Sequence, residues 1–402
     1  MSVTPLEGMT VLDLTEYVAG PYCTKLLAAF GAEVIKIERP KVGDPMRHIG
    51  PFAYDSPNIE GSLAFLDLNV NKKSITLNLN TKTGKSIFYE LLKGAHLVVD
   101  SHKPGFLEAR GLSYDELSYA KPSIVLTTIT NFGYTGPYRD IRASEIVLYA
   151  MGHEMYGTGK AYDTPLSMAP RLNLYFAGLT AAVGTCAALY GALEDGVGDW
   201  LDISIMECFM ASIDRRADSL VAYAYCGEKM QRERMEDENQ FPPPYTRCAD
   251  GYVHISLGTR ESWRRLAKAL GDEFPFSSEE TLPPTSEEAQ KRFLGFWANW
   301  CSQRTKRSIV ALLQASGIPC APVNSVADLV ADEHLKERGY FVRLDHRYVG
   351  SQLYTGLPIQ FEKTPGKLVR GAPCLGEHNS EVYGELGFSD ADLNRLVSLG
   401  II

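Results

Sequence analysis

The stretch VLDLTEYVAGPYCTKLLAAFGAEVIKIERP, residues 11–40, decides the fold. Val11-Leu12-Asp13-Leu14 reads as a short apolar strand, and Gly20-Pro21 punctuates the chain after it. Pro21 suits the first turn of a helix, where a missing N–H leaves no bond unmade. Leu26, Leu27 and Phe30 give that helix an apolar stripe, and Gly31 ends it. Val34-Ile35-Lys36-Ile37 follows as a second strand. A strand–helix–strand unit of this length implies a parallel pair joined by a right-handed crossover. The ends of such strands, beside a helix N-terminus, are where α/β sheets bind anionic cofactors.

The alternation continues outward from this unit. Ser74 to Leu79 reads as a strand, Lys85 to Leu92 as a helix, Leu97 to Val99 and Ile124 to Ile129 as buried strands. Two helical stretches, around 144–156 and 175–193, precede a strand over Trp200 to Ile205. Near Pro242 the texture changes, and Phe241-Pro242-Pro243-Pro244-Tyr245 marks a boundary. A strand (Tyr252 to Leu257) and a helix (Trp263 to Leu270) then suggest a smaller α+β domain, with a helix over Ser325 to Val330 and a β-rich tail beyond it.

At 402 residues and 44.4 kDa the chain has room for two or three folding units. Lys+Arg 40 against Asp+Glu 49 leaves a formal charge of -9, which argues against nucleic acid or an anionic membrane as main partner. Small anionic ligands in local basic pockets stay open. The 8 cysteines show no C-x-x-C pair and no zinc-like spacing, so we expect reduced thiols, a cytoplasmic location and no metal. Leu172 to Leu193 is uncharged and long enough to span a bilayer, but its many Gly, Ala and Thr residues suit a helix packed against other elements.

Three basic features are candidates for ligand contact. Glu38-Arg39 ends the second strand, and an arginine there can clamp a phosphate or simply make a surface ion pair. Lys72-Lys73 reads as a solvated turn or part of a basic rim, and His102-Lys103-Pro104-Gly105 is another short basic turn. With Arg142 these form one rim if the fold brings them together. The chain carries no G-x-G-x-x-G in its first turn, no G-x-S-x-G, no H-E-x-x-H and no P-loop. His153-Glu154 is a weak acid/base candidate, because neighbours on a helix face different ways.

Taken together, the motifs resemble a family. Gly20-Pro21 through Leu27, Gly31 through Pro40, Gly43-Asp44, Asn71 through Leu77 and Lys103-Pro104-Gly105 are similar to the type III CoA-transferases, the family of formyl-CoA transferase and carnitine CoA-transferase and racemase. Phe132 through Pro137, Asp250-Gly251-Tyr252, Gly317 through Asn324 and Pro373 through His378 extend the likeness over nearly the whole chain. The resemblance implies a Rossmann-like large domain built from both chain ends (1–225 and 330–402) and a small domain with linkers (226–329). It also implies interlocked, ring-like dimers and CoA or acyl-CoA as substrate. Glu16, Tyr17, Val18 and Ala19 would line the CoA, Arg39 and Lys73 would meet its phosphates, and Ser101, His102 and Arg142 would flank its diphosphate or pantetheine.

In this family an Asp carboxylate attacks the acyl-CoA thioester. The resemblance puts that Asp four residues before Gly178 in the helix Gly178 to Leu189, and the residue there is Leu174. A slip of one residue gives Asn173, still no carboxylate. The racemase branch would need a His at Ser144 as well as the Asp. The pattern fits heteromeric transferases in which one of two related subunits lacks the Asp, as in exchange between succinyl-CoA and an aromatic dicarboxylate such as benzylsuccinate. The expectation is a non-nucleophilic subunit supporting a catalytic sister chain. The alternatives are a stand-alone acyl-CoA enzyme using Glu145 or His153, or a CoA-binding protein without catalysis.

Overall fold

The structure is a computed structural model that describes residues 4–159, 164–212, 214–229, 241–277 and 280–402. It divides into two compact units, 1–233 with 338–402, and 234–337. In the first unit β1 (Thr10–Asp13), α1 (Ala19–Ala29) and β2 (Glu33–Glu38) form the expected β-α-β unit. The chain continues through α2 (Leu63–Leu68), β3 (Lys73–Thr76), α3 (Lys82–Gly94), β4 (Leu97–Asp100), α4 (Tyr114–Ala120) and β5 (Val125–Thr130). Next come α5 (Glu145–Met151), α6 (Glu154–Gly157), α7 (Leu172–Asp195), β6 (Trp200–Ser204), α8 (Ile205–Ser212) and α9 (Asp214–Cys226).

The six strands pair in parallel in the order β3-β2-β1-β4-β5-β6. This is the doubly wound order of Rossmann-like sheets, and it reverses direction between β1 and β4. Alternate side chains of each strand face opposite layers. Val11, Val34, Leu97 and Val99 pack with α1 and α7, whereas Leu12, Ile35, Val98 and Leu126 pack with Ile87, Phe88 and Leu91 of α3. Fully burying such a side chain contributes about 1.5–3 kcal/mol. Gly178 lets α7 lie against α1: a Cβ there would sit 2.5 Å from the Ala19 carbonyl oxygen.

The second unit has an antiparallel sheet of β7 (Tyr245–Cys248), β8 (Gly251–Ile255) and β9 (Cys320–Val323). Helices α10 (Arg260–Leu270), α11 (Glu287–Ser302) and α12 (Lys306–Ala315) close its core around Trp263, Phe293 and Trp297. Two short helices, α13 (Val326–Ala331) and α14 (Glu333–Glu337), end it. The chain then rejoins the first unit through the hairpin β10 (Phe341–His346) and β11 (Gly350–Thr355). The tail expected to be β-rich finishes as two helices, α15 (Asn379–Glu385) and α16 (Asp390–Ser398), the latter opened by a Ser389–Asp392 capping box. The helix expected over 144–156 is split, because His153 adopts a left-handed backbone (φ 71°) between α5 and α6.

Helix α7 is long and apolar enough to cross a membrane by length and composition, but one face packs on α1 and β5. The packing anticipated from its small residues therefore holds for one face only. Val183 (66% exposed) and Tyr190 (69%) lie on the other, with Leu179 and Leu193.

Candidate active site

The site grows from the loop between β1 and α1, at the point where the strand order reverses. Buried charges fix this loop from below. Lys36 donates to the Thr15 carbonyl (2.8 Å) and lies 2.9 Å from Asp44 Oδ2. Asp44 Oδ1 accepts from the Tyr17 N–H, and Ser101 Oγ accepts from the Glu16 N–H at 2.8 Å. Tyr17 takes a left-handed conformation (φ 73°). These bonds hold Glu16 and Tyr17 in one geometry just before α1, whose N-terminus has no side-chain cap. Its first N–H groups thus favour an anion in the space above.

Deeper in the unit Lys72 donates to Asp13 Oδ2 (3.0 Å), Asn69 Oδ1 and the Pro21 carbonyl. This corrects the reading of Lys72 as a solvated turn residue: its side chain has no exposed surface. Burial pushes the Lys72 ammonium down to about 8 in spite of Asp13 beside it. Burial alone would raise the Asp13 carboxyl, but Lys72, Lys36 and two threonine hydroxyls bring it down to about 2. Glu38 is buried as well. It receives a bidentate pair from Arg47, whose third nitrogen donates to Glu60.

Two cavities flank the loop. The larger, about 990 Å³, is walled by Glu16, Tyr17, Val18 and Ala19, by Ser101 and His102, and by Arg139, Arg142, Ser144, Glu145 and Leu174. The smaller, about 420 Å³, has Arg39, Lys41, Phe106 and Arg110 in its wall. Glu16 and His102 line both. His102 Nδ1 is 2.6 Å from Asp100 Oδ1, and its Nε2 is 3.7 Å from Glu16 Oε1. Burial would lower the imidazole, but the bonds and charges of Asp100 and Glu16 raise it to about 9. The two carboxylates thus favour the imidazolium form of His102. It stacks flat on Phe106 at 3.6 Å, and Arg110 covers that ring at 3.6 Å.

Of the residues singled out from sequence, Glu16, Tyr17, Val18, Ala19, Ser101, His102, Arg142, Glu145 and Leu174 share the larger cavity. Arg39 stands in the smaller one, paired with Glu16. Lys73 lies in neither wall and pairs with Glu33 and Glu381. His153 lines a different cavity, of about 240 Å³, with Tyr156 and Tyr223. The basic rim thus includes Arg39, His102, Lys103 and Arg142 without the lysine pair. The resemblance placed Asp100 only as part of the turn from Val99 to His102, and sequence reading did not find Phe106, Arg110 or Arg139. The signal for Asp100 was its place at the end of β4, next to β1.

Leu174 sits in the first turn of α7, 5% exposed, with its N–H donating to Asn173 Oδ1. Asn173 Nδ2 donates in turn to the Glu145 carbonyl. Glu145 Oε2 is buried and finds no hydrogen-bond partner among the described residues, and neither does Arg139 Nε. A metal ion has one candidate set among the described residues, Glu60, His346 and Cys374. It does not fit. His346 Nδ1 accepts two backbone N–H groups, so a neutral ring carries its proton on Nε2, which faces Cys374 Sγ at 4.0 Å. Burial and the neighbouring Glu60 and Glu377 push the Cys374 thiol up to about 12.

A loop fixed before an uncapped helix N-terminus at a Rossmann switch point, with basic side chains on either side, is an arrangement suited to an anionic nucleotide-like ligand. Residues 6–379 match the model of CoA-transferase family III, and the chain belongs to that family. It is 32% identical over 406 residues to the succinyl-CoA–L-malate CoA-transferase beta subunit of Chloroflexus aurantiacus, covering 99% of this chain and 98% of that one. It is 30% identical over 404 residues to the succinyl-CoA:(R)-benzylsuccinate CoA-transferase subunit BbsE of Thauera aromatica, covering 98% and 97%. The crystal structure of a CAIB/BAIF family protein from Brucella suis matches with a TM-score of 0.82 and 28% identity, covering 96% of this chain and all of that one. The chain is thus a member of the type III CoA-transferases, a family that uses CoA thioesters as substrates.

Proposed function

We propose that this chain is the non-nucleophilic subunit of a heteromeric CoA-transferase and supports a related sister subunit that carries the Asp. The observation behind this reading is Leu174, a hydrocarbon in the wall of the larger cavity at the position of the family's nucleophile. Leucine can neither attack a thioester nor take a proton. The relatives named as alpha, beta or BbsE subunits favour a two-subunit assembly. The exposed apolar face of α7 is a surface for that partner to cover, in keeping with an interlocked pair in which the domains are 1–225 with 330–402, and 226–329. Exchange between succinyl-CoA and a dicarboxylic acid is the pair those names favour, the acceptor being L-malate in two of them and benzylsuccinate, an aromatic one, in the third.

In this reading the chain still holds CoA. Its adenosine end lies in the smaller cavity against the Phe106–Arg110 stack, its diphosphate passes Arg39, His102 and the N-terminus of α1, and its thioester end reaches the larger cavity. Lys73, paired outside both walls, takes no part. The work is done in the cytoplasm, where the free thiols stay reduced.

Intact-mass spectrometry after exposure to succinyl-CoA with hydroxylamine trapping tests this, with the chain alone and co-expressed with a sister homologue. An adduct confined to the sister is the expected result. A covalent adduct on this chain would transfer the nucleophile's role to it. That second reading, a stand-alone enzyme, has one observation in its favour, the unpartnered Glu145 Oε2 in the same cavity as Leu174.

A further inference from the structure

We propose that Glu16 occupies, with its own carboxylate, the anion seat between the two cavities, so that a ligand's diphosphate must displace it from Arg39 and His102. Glu16 would then determine how tightly, and how selectively, the chain holds an anionic ligand. This inference rests on the reading of the chain as a CoA binder.

One oxygen, Glu16 Oε1, lies 3.2 Å from Arg39 Nη2 and 3.7 Å from His102 Nε2. Two cationic donors converging on one oxygen is the arrangement a phosphate oxygen takes. Glu16 and His102 line both cavities, so a ligand long enough to fill both passes this point. The neighbouring acids are already paired: Glu38 with Arg47, Asp44 with Lys36, and Asp100 with His102. Glu16 is thus the carboxylate that an incoming phosphate meets.

The main chain of Glu16 cannot yield easily. Ser101 Oγ accepts from its N–H and donates to its carbonyl, and Asp44 holds the next N–H. The side chain can. It is 27% exposed and its Arg39 partner 56%, so the carboxylate has a path into water. No covalent bond changes: the Arg39–Glu16 pair is exchanged for an Arg39–phosphate pair, and the carboxylate is hydrated. A neutral molecule of similar shape gains nothing from that exchange, which makes Glu16 a specificity determinant.

Calorimetric titration with CoA decides the matter, using the wild-type chain, Glu16→Gln, Glu16→Ala, Arg39→Ala and the Glu16→Gln/Arg39→Ala double variant, each checked for an unchanged thermal transition. Both Glu16 variants are expected to bind CoA about two- to fivefold more tightly than wild type, the scale of removing one partly exposed charge contact. Arg39→Ala should weaken binding, and in its background the gain should shrink, since only His102 then remains in the seat. Wild-type binding with no gain in either Glu16 variant overturns the seat while leaving the CoA reading in place. A gain that persists in full without Arg39 overturns it as well. Failure of every form to bind CoA overturns the reading and the inference together.

Discussion

Lys72 and Asp13 meet at 3.0 Å with neither side chain exposed to solvent, directly below the loop that shapes the ligand site. Two charges removed from water need each other, since the desolvation cost of either alone is several kcal/mol. Asp13→Asn should therefore destabilise the chain by about 3–5 kcal/mol, because it leaves the Lys72 ammonium uncompensated. Adding Lys72→Met should recover much of that loss. Urea unfolding of the two single variants and the double variant measures the coupling. Equal losses in Asp13→Asn and the double variant would show that the pair does not act as a unit.

The same pair predicts acid sensitivity. Lys72 and Lys36 outweigh burial and hold the Asp13 carboxyl down at about 2, against an ordinary value of 3.8. Its contribution is present above pH 4 and is lost as pH falls toward 2, and it is worth about 2 kcal/mol by linkage. Urea midpoints measured from pH 5 downward should fall more steeply for the wild type than for the Asp13→Asn/Lys72→Met variant.

Much of this architecture was legible because it is local. The apolar runs Val11 to Leu14 and Val34 to Ile37 flank a helix bounded by Pro21 and Gly31, and neighbours in sequence settle that unit. Burial of Lys72 was not legible, because it depends on Asp13, 59 residues away, and on α1 closing over both. Likewise His102 meets Glu16 only because β4 is laid beside β1. A single sequence shows which residues end strands but not which strands are neighbours. The convergence of Glu145 and Leu174 has the same cause, since it requires α5 to pack against α7.

His102 supplies a spectroscopic test of the site. Held by Asp100 and Glu16, its imidazole is raised from 6.5 to about 9. Its protonated form adds stability that is fully present below pH 6.5 and disappears as pH rises through 9. Proton–carbon NMR of the labelled ring should show a midpoint well above 7, and Asp100→Asn should bring it down. A midpoint near 6.5 in the wild-type chain would mean that the Asp100 contact does not exist in solution.

Gly178 tests the packing that carries α7 to the site. A Cβ there would lie 2.5 Å from the Ala19 carbonyl oxygen and 3.1 Å from the Tyr22 ring. The first neighbour is backbone at the N-terminus of α1, so the two helices must part. Gly178→Ala is expected to cost about 1–3 kcal/mol and to weaken CoA binding by shifting Val18 and Ala19. Thermal unfolding and calorimetry on one preparation would show both. A loss of stability with unchanged CoA affinity would mean that the strain is absorbed away from the loop.

Glu145 separates the two readings of the chemistry. Its Oε2 is buried without a partner in the cavity that also contains Leu174. If the chain is the supporting half of a heteromer, Glu145→Gln leaves the adduct on the sister subunit intact and produces none here. A carboxamide of the same shape keeps the packing but cannot attack a thioester, so any adduct that this chain forms through Glu145 would be abolished by the change. Mass spectra of wild type and Glu145→Gln, each alone and each with the sister, give four patterns. The expected one has CoA mass on the sister in both mixtures and unmodified chain in both isolated samples. A CoA adduct on the isolated wild type that disappears in Glu145→Gln would make this residue the nucleophile and Leu174 a mere neighbour of it.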